Sequence, residues 1–317
     1  MSEARRLGPS GLSIPPLVLG GNVFGWTADR ETSFAVLDAF VDGGGRMIDT
    51  ADVYSAWVDG HSGGESETII GEWLRVSGKR DHVLIATKVG MLPGEGGDGL
   101  APERIAAACE ASLKRLGVER IDLYYAHRDH DAVPQHDMLA AFDDLAHAGK
   151  IATLGLSNFS ATRLTSAIDV AERDGLIRPS VLQPEYNLIS RAFERELQPL
   201  CVARDVAVLP YYGLASGFLT GKYRSPEDAT GARGGKARAA LEAGGLEVLA
   251  VMDEVAEETG ATLAQIALAW LMAQPAVVAP IASATSVAQV GDLLGSLQVE
   301  LTRSQIERLS AASGDGA

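Results

Sequence analysis

Four residues of unlike chemistry punctuate the first half of the chain: Asp49, Tyr54, Lys88 and His127. Asp49, Lys88 and His127 each end an apolar run, and they follow one another at a spacing of 39 residues, twice over. That interval is the length of one strand–helix unit. The spacing therefore predicts three side chains at equivalent heights on adjacent parallel strands, with Tyr54 leaning over them from the loop that leaves the second strand. A free tyrosine ionises near pH ~10 and is a poor acid–base catalyst at neutrality. An ammonium beside it favours the phenolate and lowers that value. A carboxylate would keep the ammonium charged and fixed in a partly apolar mouth, and an imidazole could orient a substrate oxygen. Such a set would protonate a carbonyl oxygen as a hydride arrives at carbon, or run the reverse on an alcohol. Singly, each residue has a plainer reading: a helix-capping Asp, a solvated Lys, a structural His. The common interval couples them.

The elements that must hold these residues are legible as eight short apolar runs, at 16–21, 46–51, 81–88, 121–127, 151–157, 180–186, 206–212 and 276–282. Each is almost continuously apolar, as a strand buried on both faces should be. Between them lie stretches with helical periodicity, such as ETSFAVLDAFVDGG and PERIAAACEASLKRLG, several opening on Ser, Asp or Pro and closing on Gly. Eightfold alternation predicts the fold class: α/β, a (β/α)8 TIM barrel, one domain over residues 1–317. An open doubly wound sheet would want GxGxxG after its first strand. Here GGNVFGWTAD follows. The segment before the first strand reads as a hairpin around Pro9–Ser10–Gly11 that could plug the barrel's N-terminal end. Three long stretches, 52–66, 89–101 and 213–245, all follow strands. They belong on the C-terminal face, where barrels keep their active sites.

Composition closes off several classes. A formal net charge of −15 repels nucleic acid and anionic membranes. Cys109 and Cys201 are far apart in helix-like surroundings and read as core thiols. The N-terminus has no apolar signal core and no run reaches membrane-spanning length, so the expectation is a cytoplasmic protein, monomeric or homo-oligomeric. His61 and His130 lack ligand spacing, and no metal is expected.

The phrases MIDTADVYS, SETIIGEWL, IATKVG, DLYYAHRDH, GKIATLGLSNFS, QPEYNLI and YYGLASGFLTGKY resemble the aldo-keto reductase family, the bacterial-type branch similar to channel β-subunit-like reductases. The likeness runs from LVLGG to ELT. It implies NAD(P)H-dependent reduction of an aldehyde, ketone or sugar, with Tyr54 as proton donor or acceptor. Lys88 is then the group that lowers its pKa, Asp49 the partner of Lys88, and His127 the substrate orienter. Ser157, Asn158 and Gln183 can hydrogen-bond a carboxamide and Tyr211 can stack on a ring. The resemblance gives them the nicotinamide, with Gly21 and Asn22 at its ribose. It also implies a pyrophosphate loop of Gly213, Leu214, Ser216, Gly217 and Lys222, closed over by Arg233, and an adenosine site of Ser283, Thr285, Gln289 and Asp292. Tyr212–Gly213 stands where relatives usually carry Ser-Pro. The family's habit favours NADP. Thr285, where NADP users carry a cation, and Asp292, a carboxylate able to meet a free ribose hydroxyl, keep NAD open. Phe24, Trp26 and Trp57 are expected to line the substrate mouth.

Two rival classes stand against this reading. A non-catalytic nicotinamide-binding regulatory barrel would be favoured by a broken tetrad, and this one is intact. A metal-dependent barrel hydrolase needs His-x-His at an early strand end, where this chain has Gly20–Gly21.

Overall fold

The computed structural model describes residues 3–231 and 234–313. Strands β1 (Arg5–Arg6) and β2 (Ser13–Ile14) pair antiparallel around a short 3-10 turn. Then come β3 (Val18–Gly20), β4 (Met47–Asp49), β5 (Leu84–Val89), β6 (Leu123–Ala126), β7 (Leu154–Ser157), β8 (Val181–Gln183), β9 (Ala207–Val208) and β10 (Ile281–Ala282). These eight pair in parallel in the order β10-β3-β4-β5-β6-β7-β8-β9. The ring closes where Val278 N donates to Val208 O (2.9 Å) and Ile281 N to Pro210 O (2.9 Å). Every strand falls on its predicted apolar run, with β5 extending one residue past it. The fold is the expected (β/α)8 barrel with an N-terminal hairpin.

Around the barrel run α1 (Arg30–Asp42), α2 (Glu65–Ser77), α3 (Pro102–Leu116), α4 (Gln135–His147), α5 (Ala161–Asp174), α6 (Leu197–Ala203), α7 (Gly234–Glu242), α8 (Gly245–Thr259), α9 (Leu263–Met272), α10 (Val287–Gly295) and α11 (Arg303–Ala312). Their starts are written locally. Asp29, Ser160, Thr262, Ser286 and Thr302 accept from backbone N–H groups of the first turn, and Gln265 and Gln305 complete capping boxes. One departure from the sequence reading is α7, which occupies part of the Gly-rich 213–245 stretch. Its Ala-Arg-Ala-Ala-Leu-Glu run has strong helix propensity that the flanking glycines mask.

Two apolar layers follow from the twofold alternation of the strands. Outward residues pack under the helices. Inward residues form a separate plug of Val18, Met47, Ala86, Leu123, Tyr125, Val181, Ala207, Leu209, Ala279 and Ile281, joined by Leu7 and Ile14 from the hairpin. A Cβ on Gly8 would lie 2.8 Å from Asp205 O and 2.9 Å from Ser180 O, so the hairpin presses on the entry ends of β8 and β9, as expected. Leu7 is fully buried in this plug. Leu7→Ala is therefore expected to cost about 2–5 kcal/mol, read as a fall in the urea midpoint with an unchanged slope.

Candidate active site

The inward-facing rows continue past the apolar plug into polar residues: Met47 leads to Asp49, Ala86 to Lys88, Tyr125 to His127 and Val181 to Gln183. The register refines the expected equal heights. Asp49 lies beside Ala86, two residues short of Lys88, and Lys88 lies beside Tyr125, two short of His127. Barrel strands are tilted and staggered, and an even offset keeps all three side chains on the inner face.

They converge. Lys88 is fully buried and donates from Nζ to Asp49 Oδ1 (2.5 Å), to the Thr50 carbonyl (2.7 Å) and to the Tyr54 hydroxyl (3.0 Å). Gln183 Nε2 holds the other Asp49 oxygen at 2.8 Å. The Tyr54 and His127 rings meet edge-on with centroids 6.1 Å apart. Beneath the ammonium lies the Tyr125 ring, 5.9 Å from Lys88 Nζ. That ring fits because residue 155 is Gly: a Cβ there would come within 2.4 Å of it.

Burial would pull the Lys88 ammonium down, but Asp49 and then Tyr54 hold it protonated, above the ordinary lysine value. Burial raises the Asp49 carboxyl, opposed by Lys88 and Gln183. For Tyr54 the net direction corrects the sequence expectation. Burial raises the phenol, Lys88 pulls it back as foreseen, and Asp49 adds to the rise, so the hydroxyl stays protonated at neutrality. Burial, Lys88 and Arg128 push His127 well below the usual histidine value, leaving a neutral ring. Its Nδ1 is buried and has no hydrogen-bond partner among the described residues.

Ser157, Asn158, Gln183 and Tyr211 stand together beside this centre. Ser157 donates to the Gln183 carbonyl (2.8 Å), Asn158 to the His127 carbonyl (2.9 Å), and Tyr211 to Asn158 Oδ1 (2.8 Å). Asn158 adopts a left-handed φ of 57° that turns its amide back over β6. Gln183 spends its amide N–H on Asp49, a link the sequence did not show. Gly21 is bonded at both backbone ends, to Asp49 O and from Ser66 Oγ, while Asn22 Oδ1 accepts from Ser283 Oγ (2.6 Å).

After β9, Ala215, Ser216 and Gly217 run consecutively in the left-handed region. A Cβ on Gly217 would stand 3.2 Å from Lys222 Nζ. Gly213 and Leu214 lead into this turn, with Gly213 against Leu271 and Leu268. A concave backbone turn with an ammonium beside its glycine fits a bound diphosphate. Arg233 lies outside the described residues. Further on, Gln289 Oε1 accepts from the Thr285 N–H (2.8 Å) at the start of α10, and Asp292 Oδ1 accepts from Thr262 Oγ1 (2.8 Å). One Asp292 oxygen is thus already a helix tether.

At the mouth, Trp57 is 48% exposed and meets Tyr54 (6.0 Å) and Trp26 (5.5 Å) edge-on. Phe24 does not line it. Its ring is fully buried under the helices, and its carbonyl accepts from Ser55 Oγ (2.9 Å). It braces the turn that carries Tyr54. Sequence reading also missed Tyr212, whose ring lies 5.0 Å from Tyr211 and carries Lys236 Nζ 3.8 Å above it. Among the described residues, no helix is long and apolar enough to cross a membrane, and no group of three His, Cys, Asp or Glu side chains is placed to hold a metal.

Residues 16–313 match the sequence model of the Aldo/keto reductase family, and the chain belongs to that family. It is 32% identical to the Bacillus subtilis protein named uncharacterized oxidoreductase YrpG, over 97% of this chain and 95% of that one. It is also 32% identical to an Arabidopsis thaliana protein named probable voltage-gated potassium channel subunit beta, over 94% of this chain and 92% of that one. With norsolorinic acid reductase B of Aspergillus parasiticus it shares 30% identity, over 98% and 84%. The family and the two relatives named as an oxidoreductase and a reductase place the chain among oxidoreductases, and the family supports a nicotinamide cofactor.

Proposed function

We propose that this protein reduces the carbonyl of an aldehyde, ketone or sugar to an alcohol, or runs the reverse, with Tyr54 as the acid–base. The observation that carries this reading is the chain of contacts Tyr54–Lys88–Asp49, with the neutral His127 ring alongside. When bound, the reduced nicotinamide supplies the hydride. Tyr54 gives its O–H proton to the carbonyl oxygen, and the phenolate left behind faces the Lys88 ammonium 3.0 Å away. Asp49 and the Thr50 carbonyl keep that ammonium charged and aimed. His127, with its proton on Nε2, donates to the substrate oxygen and fixes its approach. Trp26 and Trp57 offer ring faces and edges to a planar or cyclic substrate. Ser157, Asn158, Gln183 and Tyr211 would hold and stack the nicotinamide, and the 213–217 turn with Lys222 the pyrophosphate. The test is a turnover screen of aldehydes, ketones and reducing sugars with NADPH and with NADH. Activity on none of them would defeat the proposal.

We favour NADPH over NADH, the family's habit set against a neutral Thr285. NADPH is expected to quench protein fluorescence at the lower concentration in titration. Thr285→Arg, which places a cation at the start of α10, should tighten NADPH about tenfold, worth ~1.4 kcal/mol, while leaving NADH nearly unchanged. Tighter NADH binding by the native chain would reverse the assignment.

A further inference from the structure

Behind the catalytic row lies a second set of charges that the chemistry above does not use. Thr87 points away from the barrel interior and donates to Glu67 Oε1 (2.6 Å), and Arg115 holds the other Glu67 oxygen at 2.6 Å. Glu67 is fully buried and fully partnered. Asp52 is fully buried too, yet poorly satisfied. Its Oδ2 is 3.4 Å from Arg104 Nη2, and among the described residues its Oδ1 has no hydrogen-bond partner. A half-satisfied buried carboxylate is costly.

Asp52 also sits where such a cost could be felt by the chemistry. It lies two residues before Tyr54 in one tight turn, pinned by Asp52 N to Lys88 O (3.2 Å) and Tyr54 N to Ala51 O (3.2 Å). Ser55, the next residue, holds a left-handed φ of 73°, which is strained for a side-chain-bearing residue. Arg104 reaches the turn from α3 while its other amine donates to Glu95 O (3.1 Å). One guanidinium thus ties the Tyr54 turn to the loop after β5, the other long loop on the same barrel face.

We propose that Asp52 is a positioning residue for Tyr54: ionised, it holds the turn on Arg104, and protonated, it releases that hold. The charged and titratable groups that face it are Glu67 from α2, Arg104 and Arg115 from α3, and Tyr124 from β6. Burial, then the Glu67 charge, push the Asp52 carboxyl up to about 7, against the pull of both arginines and of the Val53 backbone N–H. The change of state therefore falls at neutrality. His127 titrates well below its ordinary value and so lies outside this window.

The role rests on Tyr54 being the acid, but the coupling can be read without turnover. With tyrosine labelled by 13C at Cζ, the Tyr54 resonance is the one missing from Tyr54→Phe. In the native protein it is expected to shift between pH 6 and 8 with a midpoint near 7. Asp52→Asn should flatten that shift, and Arg104→Gln, which removes the group on which the turn is held, should flatten it as well. In the native enzyme kcat should fall several-fold below the same midpoint with the KM for cofactor unchanged. A Tyr54 signal that is flat in the native protein, or that titrates unaltered in Asp52→Asn, overturns the proposal. If Asp52→Asn does not fold, a Tyr54 shift that persists unaltered in Arg104→Gln overturns it equally. A signal that follows Asp52 in a protein that turns over no carbonyl supports the coupling and defeats the reading of the reaction. A flat signal in an active enzyme defeats the coupling alone.

Discussion

Replacing Tyr54 with Phe is expected to lower kcat for carbonyl reduction by about 10²–10⁴-fold, the usual worth of a positioned general acid, with the Kd for cofactor nearly unchanged. The separation follows from geometry. The Tyr54 hydroxyl makes its hydrogen bond to Lys88, whereas the residues assigned to the nicotinamide are bonded among themselves and to Asp49 and His127. The fold should survive, because Lys88 keeps Asp49 and the Thr50 carbonyl, so the stability change stays within ~1–2 kcal/mol. Stopped-flow turnover and fluorescence titration of the same preparation measure both quantities. Unimpaired turnover would remove Tyr54 from the chemistry.

Lys88→Met should do more damage, and damage of two kinds. Lys88 and Asp49 are both buried at the barrel mouth. Removing the ammonium leaves a carboxylate whose side-chain partner among the described residues is Gln183 alone, a change that typically costs about 3–5 kcal/mol. Turnover should fall at least ~10²-fold, since no cation then faces the phenolate. The stability loss has a definite pH sense. Burial already raises the Asp49 carboxyl in the folded protein, and without Lys88 the largest opposing influence is gone. A carboxyl raised on folding is least harmful when protonated. The variant should therefore approach native stability in acid and lose it as pH rises through the folded-state pKa. Adding Asp49→Asn should restore much of the neutral-pH stability without restoring turnover. A Lys88→Met protein as stable as the native one at neutrality would show that the pair is not the buried couple described.

The barrel and the tetrad were readable because both are periodic: eight apolar runs fix the strands, and polar residues at a common interval end three of them. The staggering of Asp49, Lys88 and His127 was not readable, since register depends on the tilt of the closed barrel rather than on interval. Burial was the second blind spot. The direction of the Tyr54 shift turns on how far its hydroxyl is withdrawn from solvent, and Phe24, between Val23 and Gly25 beside the exposed-looking Trp26, packs under the helices. Side chains brought together from distant segments were the third. Asp52 and Arg104 are 52 residues apart, one in a stretch that reads as loop and one on an ordinary amphipathic helix, so no local pattern announces their meeting. Gln183 also donates to Asp49, 134 residues away, a contact that no local pattern announces. The Asn158–Tyr211 contact was anticipated only as a grouping, and the structure supplied its bond.

The most direct test of the central claim follows the two hydrogens separately. With NADPH deuterated at the transferred position and a carbonyl substrate taken from the screen, the native enzyme should place deuterium on the product carbon, while the alcohol proton exchanges with water. Mass spectrometry should find labelled alcohol accumulating at least ~10²-fold faster with native protein than with Tyr54→Phe at equal cofactor saturation. Labelled alcohol formed at the native rate by Tyr54→Phe, or unlabelled alcohol from the native enzyme, would contradict the account.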